Sequence, residues 1–344
     1  MQQKVAIITG IRGMDAEALT DILLGKGYIV VGTYRKASNF DESQVLASHR
    51  NSPNLYLEHC DITDKLSIQT LVSNVLTRYG RLDETYLLAA QSHVGHSFQM
   101  PDTTVLTNGM SVFYFLESLQ LLAPQTKTYF AATSELMGGD PTKVPFNESS
   151  EFECRSPYSI GKELGVRWIK YFQMTYGMFC TYGVPFNHSN VSRNKSFYIK
   201  KLTNAAARIC AGKQKDVCFG NLDFYRDEHW SDFGCEMMWK ILQRDKPETY
   251  LICRGECFHG EQFLDEAFGY FNLRWQDYVK FDKSLLRANE VVKLVGDPSK
   301  AVKELGWRPN RMSFKQHISL MCKYDYDLET GNSPERPKVF DLFP

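Results

Sequence analysis

The chain has 344 residues, 43% hydrophobic and 23% charged, and its 40 Lys plus Arg balance 40 Asp plus Glu. Balanced charge excludes a broad electrostatic nucleic-acid surface, and this composition fits a soluble globular protein of two domains, or one large domain with lobes. No run of about 18 apolar residues appears, so no membrane span is expected, and the apolar stretch after Met1-Gln2-Gln3-Lys4 breaks at Thr9-Gly10, too early for a signal peptide. The nine cysteines are odd in number and scattered; Cys253 and Cys257 have no second pair to complete a zinc site, so no metal is expected. They read as reduced thiols in a cytoplasmic protein.

The first half alternates strands and helices. Strands are predicted at Lys4–Thr9, Tyr28–Tyr34, Leu55–Cys60, Thr85–Ala90, Thr128–Thr133 and Cys180–Phe186. Asp15–Lys26 has Ala18, Leu19, Ile22 and Leu23 at helical spacing and a natural stop at Gly27; Pro101-Asp102 opens a second helix running to about Leu122, and a third should follow Ser156. Strand–helix–strand spacing implies an α/β fold, a doubly wound parallel sheet of Rossmann type over residues 1–186. Beyond Asn187 the rhythm changes: helical patterns at Phe197–Ala211, Phe233–Arg244, Glu261–Phe271 and Pro298–Leu305 lie between longer irregular pieces. Residues 187–330 are expected to form a smaller, partly interleaved substrate lobe, some of whose segments return to the first domain. Asp297-Pro298 reads as a helix start with Asp as N-cap, and residues 331–344 as an extended or mobile tail.

Between the first strand and first helix stands Thr9-Gly10-Ile11-Arg12-Gly13-Met14-Asp15-Ala16, a G-x-x-G-x-x-A turn. Small residues there let the backbone approach a dinucleotide pyrophosphate, and the helix N–H groups meet its charge. Gly10, Arg12, Gly13, Met14 and Asp15 are therefore cofactor candidates. The second strand ends in Arg35 and Lys36, where NAD sites place an acid; two cations suit a 2′-phosphate and favour NADP. Asp61, ending the third strand, suits the adenine amino group, with Ile62 beside it; Ala89 and Ala90 at the end of the fourth strand complete the crevice. Tyr158 and Lys162, four apart, share one face of the helix after Ser156. An adjacent ammonium stabilises tyrosinate and makes the phenol usable as a base. The spacing alone recurs by chance; its weight comes from following the fifth strand, whose end, Thr133-Ser134-Glu135, faces the crevice of a doubly wound sheet.

These residues together resemble an extended short-chain dehydrogenase/reductase, and more closely the GDP-mannose 4,6-dehydratases. The resemblance rests also on Ala90-Gln91-Ser92-His93-Val94, Arg155-Ser156-Pro157-Tyr158-Ser159, Phe186-Asn187-His188, Gly220-Asn221-Leu222-Asp223 with Arg226-Asp227, and Gly296-Asp297-Pro298 with Leu305-Gly306-Trp307. It implies an NADP-dependent hydro-lyase that converts a GDP-hexose to its 4-keto-6-deoxy form. Tyr158 would be the base at the 4-hydroxyl, Lys162 would lower its pKa and hold the nicotinamide ribose, Thr133 would bind the 4-oxygen, and Glu135 would take the C5 proton. Asn187 and His188 would contact the nicotinamide end of the cofactor and, for Asn187, the substrate. Ser92, Arg193, Lys195 and Arg226 would bind substrate, with Arg287 and Glu290 at the nucleotide ribose or base. A homodimer or homotetramer, partly joined through Ala37–Ser43, is also implied. Departures lie near the sugar: Ser189-Asn190-Val191-Ser192-Arg193-Asn194 stands where the family has Glu-Ser-Pro and paired arginines, and Arg226-Asp227-Glu228 where it has Arg-Asp-Trp. A GDP-heptose substrate, a 4-oxidoreductase or epimerase outcome, and a non-catalytic NADP-binding regulator are the alternatives.

Overall fold

A computed structural model describes residues 3–35, 52–286 and 289–344. The chain begins with strand β1 (Val5–Ile8), whose four residues are all buried, then helix α1 (Met14–Gly25), β2 (Ile29–Tyr34), β3 (Leu55–His59), α2 (Lys65–Tyr79) and β4 (Glu84–Leu87). One helical turn (Pro101–Val105) and a π-turn (Leu106–Met110) run into α3 (Ser111–Leu122), followed by β5 (Lys127–Ala131), α4 (Pro157–Tyr176) and β6 (Cys180–Pro185). The later elements are β7 (Asn187–Ser189), α5 (Tyr198–Cys210), β8 (Val217–Phe219), β9 (Tyr225–Arg226), β10 (Glu228–Trp230), α6 (Ser231–Leu242) and β11 (Tyr250–Ile252). Then come β12 (Phe258–His259), α7 (Gly260–Gly269), β13 (Val279–Phe281), β14 (Lys293–Leu294), α8 (Ser299–Leu305), α9 (Phe314–Glu329) and α10 (Val339–Leu342).

Seven strands form one sheet in the order β11-β6-β5-β4-β1-β2-β3, and every pair from β3 through β6 is parallel. The chain builds outward from β1 to β3, then returns to β4 on the other side. That reversal is the topological switch point, where a doubly wound sheet opens a crevice at its carboxyl ends. The chain falls into two compact units. One comprises Met1–Leu136, Glu151–Pro185 and Cys235–Tyr250; the other comprises Met137–Ser150, Phe186–Gly234 and Leu251–Pro344.

The expected helix at Pro101–Leu122 is interrupted by the π-turn. There Gly109 lies so close to α4 that a Cβ on it would meet Gly161 O at 2.9 Å and the Leu164 side chain at 2.8 Å. Helix α8 starts at Ser299, with Asp297 capping from outside: its Oδ1 accepts from Ser299 N at 2.9 Å. Helices α2 and α9 lie outside the sequence expectations, although in α2 Ile68, Leu71, Val72 and Val75 stand at helical spacing and are buried. The tail carries the short helix α10, with Val339 buried. Among the described residues no helix is long and apolar enough to cross a membrane.

In the second unit α5 and α9 are joined by a buried ion pair. Lys200 Nζ meets Asp325 Oδ1 and donates to the Val191 carbonyl at 2.7 Å, while Thr203 Oγ1 donates to Asp325 Oδ2 at 2.7 Å. Removing one member strands the other charge in the core. Asp325→Ala should lower unfolding free energy by roughly 3–5 kcal/mol, and replacing both (Lys200→Met with Asp325→Leu) should restore most of it. Urea unfolding followed by circular dichroism measures both; equal losses in the single and double variants would refute the pair's role.

Candidate active site

The glycine turn is pinned at both flanks. Thr9 Oγ1 accepts from Leu88 N at 2.9 Å and Ala89 N at 3.0 Å, tying the end of β1 to the end of β4, and Ile11 N donates to Thr33 O at 2.9 Å on β2. Gly10 has φ +72°, and a Cβ there would press on Ala89 Cα at 3.0 Å, so backbone passes backbone with no room for a side chain. Gly13 is the N-cap of α1 and brings no side chain to the free N–H groups of the first turn. Bare backbone N–H groups arranged in this way suit an anion. Arg12 is exposed, Met14 is buried and Asp15 is half-buried.

Arg35, exposed just past β2, acts electrostatically on Asp61. Burial pushes the Asp61 carboxyl up, but hydrogen bonds from Thr63 N (2.9 Å) and Thr63 Oγ1 (2.7 Å), together with the Arg35 charge, hold it below the usual range. Ile62, Ala89 and Ala90 are half-buried, and Ser92 is exposed. Sequence reading missed Asn108. It is buried in the π-turn, where its side chain accepts from Gln91 N at 2.8 Å and donates to Gln91 O at 3.0 Å, fixing the segment that follows Ala90. An Asn in an apolar helical pattern was the available signal.

Ser156 caps α4, its side chain accepting from Ser159 N, and Pro157 takes the first helical position, so Tyr158 stands in the first turn. Tyr158 and Lys162 are both buried. Lys162 Nζ donates to the carbonyl of Ala131, the last residue of β5, at 2.7 Å and lies 4.9 Å from the Phe130 ring centroid. Burial lowers its pKa from 10.5 to about 8, with the Asp15 carboxylate pulling the other way. Two residues past Ala131 the chain bends: Glu135 N donates to Thr133 Oγ1 at 3.2 Å, which fixes the half-buried Glu135 on the turn Ser134–Met137. Thr133 keeps its hydroxyl proton for another acceptor. Thus Thr133, Glu135, Tyr158 and Lys162, separate in sequence, belong to the end of β5 and the start of α4 in one unit.

The second unit holds the remaining candidates. β7 and β10 pair in parallel, setting Asn187 opposite Glu228 and His188 opposite His229. His188 Nδ1 lies 2.7 Å from Phe186 O, and its ring stacks on His229 at 5.4 Å. Buried polar groups grip this strand pair. Asp227 accepts from the backbone of Arg254 (2.6 Å) and Gly255 (2.8 Å); burial nevertheless pushes its pKa up to about 7. Burial also raises Glu228 to about 7, against the pull of the Ser189 hydroxyl, His188, Arg193 and Arg226. His317 bonds the backbone of Ser189 and stays neutral, burial pushing its pKa down to about 3. Arg226 is buried and meets Glu290 Oε1 at 3.4 Å, so two candidates from distant segments come together. The Arg193 guanidinium lies 3.7 Å from the Phe197 ring centroid. Lys195 is exposed and 3.9 Å from Glu329, a carboxylate it shares with Arg208 and Lys213. Arg287, Lys36 and Ala37–Ser43 lie outside the described residues.

The parallel sheet with its switch-point glycine turn and a Tyr-x-x-x-Lys helix defines the short-chain dehydrogenase/reductase architecture. Comparison with known proteins narrows this. The family model described as GDP-mannose 4,6 dehydratase matches residues 7–321. GDP-mannose 4,6 dehydratase 2 of Arabidopsis thaliana is 36% identical over 335 residues, covering 95% of this chain and 88% of the relative. GDP-mannose 4,6-dehydratase of Vibrio cholerae is 33% identical, covering 95% of each chain. The chain belongs to the GDP-mannose 4,6-dehydratase family. The solved structure of dTDP-glucose 4,6-dehydratase from Bacillus anthracis in complex with NAD shares the fold, with a TM-score of 0.80 at 16% identity over 96% of this chain and 98% of that one.

The Lys162 environment gives a test. The unfolded chain keeps this proton up to about pH 10.5, whereas the fold releases it near 8. Below pH 8 the fold therefore carries a buried ammonium at a penalty, which fades as pH rises from 8 to 10.5. Set against the lost bond to Ala131, relief of a penalty of about 3 kcal/mol should leave Lys162→Met roughly 2 kcal/mol more stable than the parent at pH 7. That advantage should vanish by about pH 10.5. Turnover should be lost. Thermal melts across pH without added cofactor decide it; a variant no more stable at pH 7 contradicts the argument.

Proposed function

We propose that this chain is an NADP-dependent GDP-sugar 4,6-dehydratase, with GDP-mannose as the substrate its family suggests. The cradle at Gly10 and Gly13, open to backbone approach and capped by no side chain, suits a dinucleotide pyrophosphate. Gly10, Arg12, Gly13, Met14 and Asp15 would hold the pyrophosphate. Asp61, Ile62, Ala89 and Ala90 would hold the adenosine half, and Lys162, Asn187 and His188 the nicotinamide half. Arg35 carries the choice of NADP: a guanidinium at the end of β2 matches a 2′-phosphate, where an acid would repel it. A nicotinamide held by these residues would supply the hydride chemistry of the reaction, oxidation at sugar C4 and reduction at C6.

Tyr158, beside a buried ammonium, takes the proton of the sugar 4-hydroxyl, and Thr133 donates its hydroxyl hydrogen to the 4-oxygen. The resulting ketone acidifies the C5 proton, which Glu135 removes. The same carboxyl then protonates the departing 6-hydroxyl, which leaves as water, and as hydride returns to C6 the proton that Tyr158 took from the 4-hydroxyl would pass to C5, which restores the base. Ser92, Asn187, Arg193, Lys195, Arg226, Arg287 and Glu290 are the proposed substrate contacts, with the guanidinium groups at the diphosphate. The observation that carries the dehydratase reading is Glu135. Simple oxidation or epimerisation at C4 needs a base and an ammonium, but no carboxylate fixed two residues beyond the Thr that binds the 4-oxygen.

Incubation with GDP-, UDP- and CDP-sugars followed by mass spectrometry should show loss of one water from GDP-mannose; a product of unchanged mass would point instead to 4-oxidation or epimerisation. Glu135→Gln should bind cofactor and sugar as the parent does, yet slow water loss on the order of 10²-fold or more. Full activity in that variant would remove Glu135 from the mechanism. Arg35→Ala should weaken NADP by about tenfold or more and leave NAD nearly unchanged, by fluorescence titration. Equal losses would reject the 2′-phosphate assignment.

A further inference from the structure

The loop after β7 is held by a relay of side chains that begins in the C-terminal tail. Arg336 Nη2 meets Asp232 Oδ1, and both side chains are largely buried, at 16% and 8% exposure. The other Asp232 oxygen accepts from Asn190 Nδ2 at 2.9 Å. Asn190, fully buried, accepts from Ser192 N at its own Oδ1 (2.8 Å), and its carbonyl accepts from Arg193 N at 3.1 Å. The opposite side of the loop is fixed by Lys200, which donates to Val191 O and pairs with Asp325. The tail itself is seated by apolar cover. Phe340 packs against Phe233 with ring centroids 5.6 Å apart, the Arg311 guanidinium lies over both rings at 5.1 and 4.7 Å, and Arg311 Nε bonds Phe343 O.

We propose that Arg336 and Asp232 are positioning residues: the C-terminal tail orders loop 190–194 through the Arg336–Asp232–Asn190 relay, and so sets where the Arg193 guanidinium stands. The physical lever is the buried carboxylate. With Arg336 in place, Asp232 is neutralised and can spend its second oxygen on Asn190. Without Arg336 the carboxylate draws in water, and the turn that presents Arg193 loses its anchor. The consequence for catalysis rests on the reading of Arg193 as a diphosphate contact. A loop that captures substrate but takes no part in proton transfer should affect KM and leave kcat alone.

The test uses the full chain and its Arg336→Ala and Arg336→Lys variants. In Arg336→Ala, hydrogen exchange at Ser192 and Arg193 should speed up about tenfold or more, because the local opening energy falls. KM for GDP-mannose should rise about tenfold with kcat within about twofold of the parent. NADP affinity should not move, and Arg336→Lys, which keeps the charge, should recover most of the KM. Should Arg336→Ala prove insoluble, Asp232→Asn, which keeps an acceptor for Asn190 but loses the ion pair, is read in the same way. Unchanged exchange at 192–193 overturns the proposal. Faster exchange with unchanged KM supports the relay and removes Arg193 from substrate binding, so the two readings fail separately.

Discussion

One bond organises the join between β5 and α4: the Lys162 ammonium, hidden from water, donating to the carbonyl that ends β5. An ammonium in such a place is expensive, as its depressed pKa records. What it secures is registry. The bond fixes helix α4 against β5 at the residue before the chain bends, so Tyr158 one turn earlier and Thr133 and Glu135 just beyond are set from a single point. Gly109 and Gly161, neither carrying a Cβ, let the π-turn lie close against α4. A hydrophobic residue would fit this site at a lower desolvation cost.

The legible parts of the sequence were those where local physics and global fold agree. The glycine turn could be read because only a residue without Cβ tolerates Gly10's positive φ against Ala89. Helix α4 could be read because Ser156 and Pro157 are capping residues with a local mechanism. The parallel sheet followed from the alternation of apolar runs with helical patterns. Other features left little local trace. Thr9 as the clamp between β1 and β4 depends on which way one hydroxyl turns. Asn108 sits in a π-turn that no spacing rule marks. Arg226 and Glu290 meet across 64 positions, and nothing at either end names the other.

The second unit shows why charge is a poor guide to surface. Asp227, Glu228, His317 and Asp325 would each pass for solvated residues in a list, yet all are buried, and their neighbours explain it. Asp227 is gripped by backbone amides, Asp325 by Lys200 and Thr203, and His317 stays neutral against a backbone carbonyl. Asp227, Glu228 and His317 anchor strands of two and three residues that would be marginal alone, while Asp325 joins two helices. Polar anchoring here does the work that long strands do in the seven-stranded sheet.

The division of the chain has a consequence for how the protein is made. The first unit is written in three separate stretches, and its last, residues 235–250, emerges only after 186–234 have been synthesised. A nascent chain stopped at residue 185 would already hold β1 through β6 but lack the neighbour of β6, leaving a strand edge open to mispairing. Neither unit can be excised as a continuous fragment, and ribosome pausing between these stretches would lengthen the time that edge stays exposed.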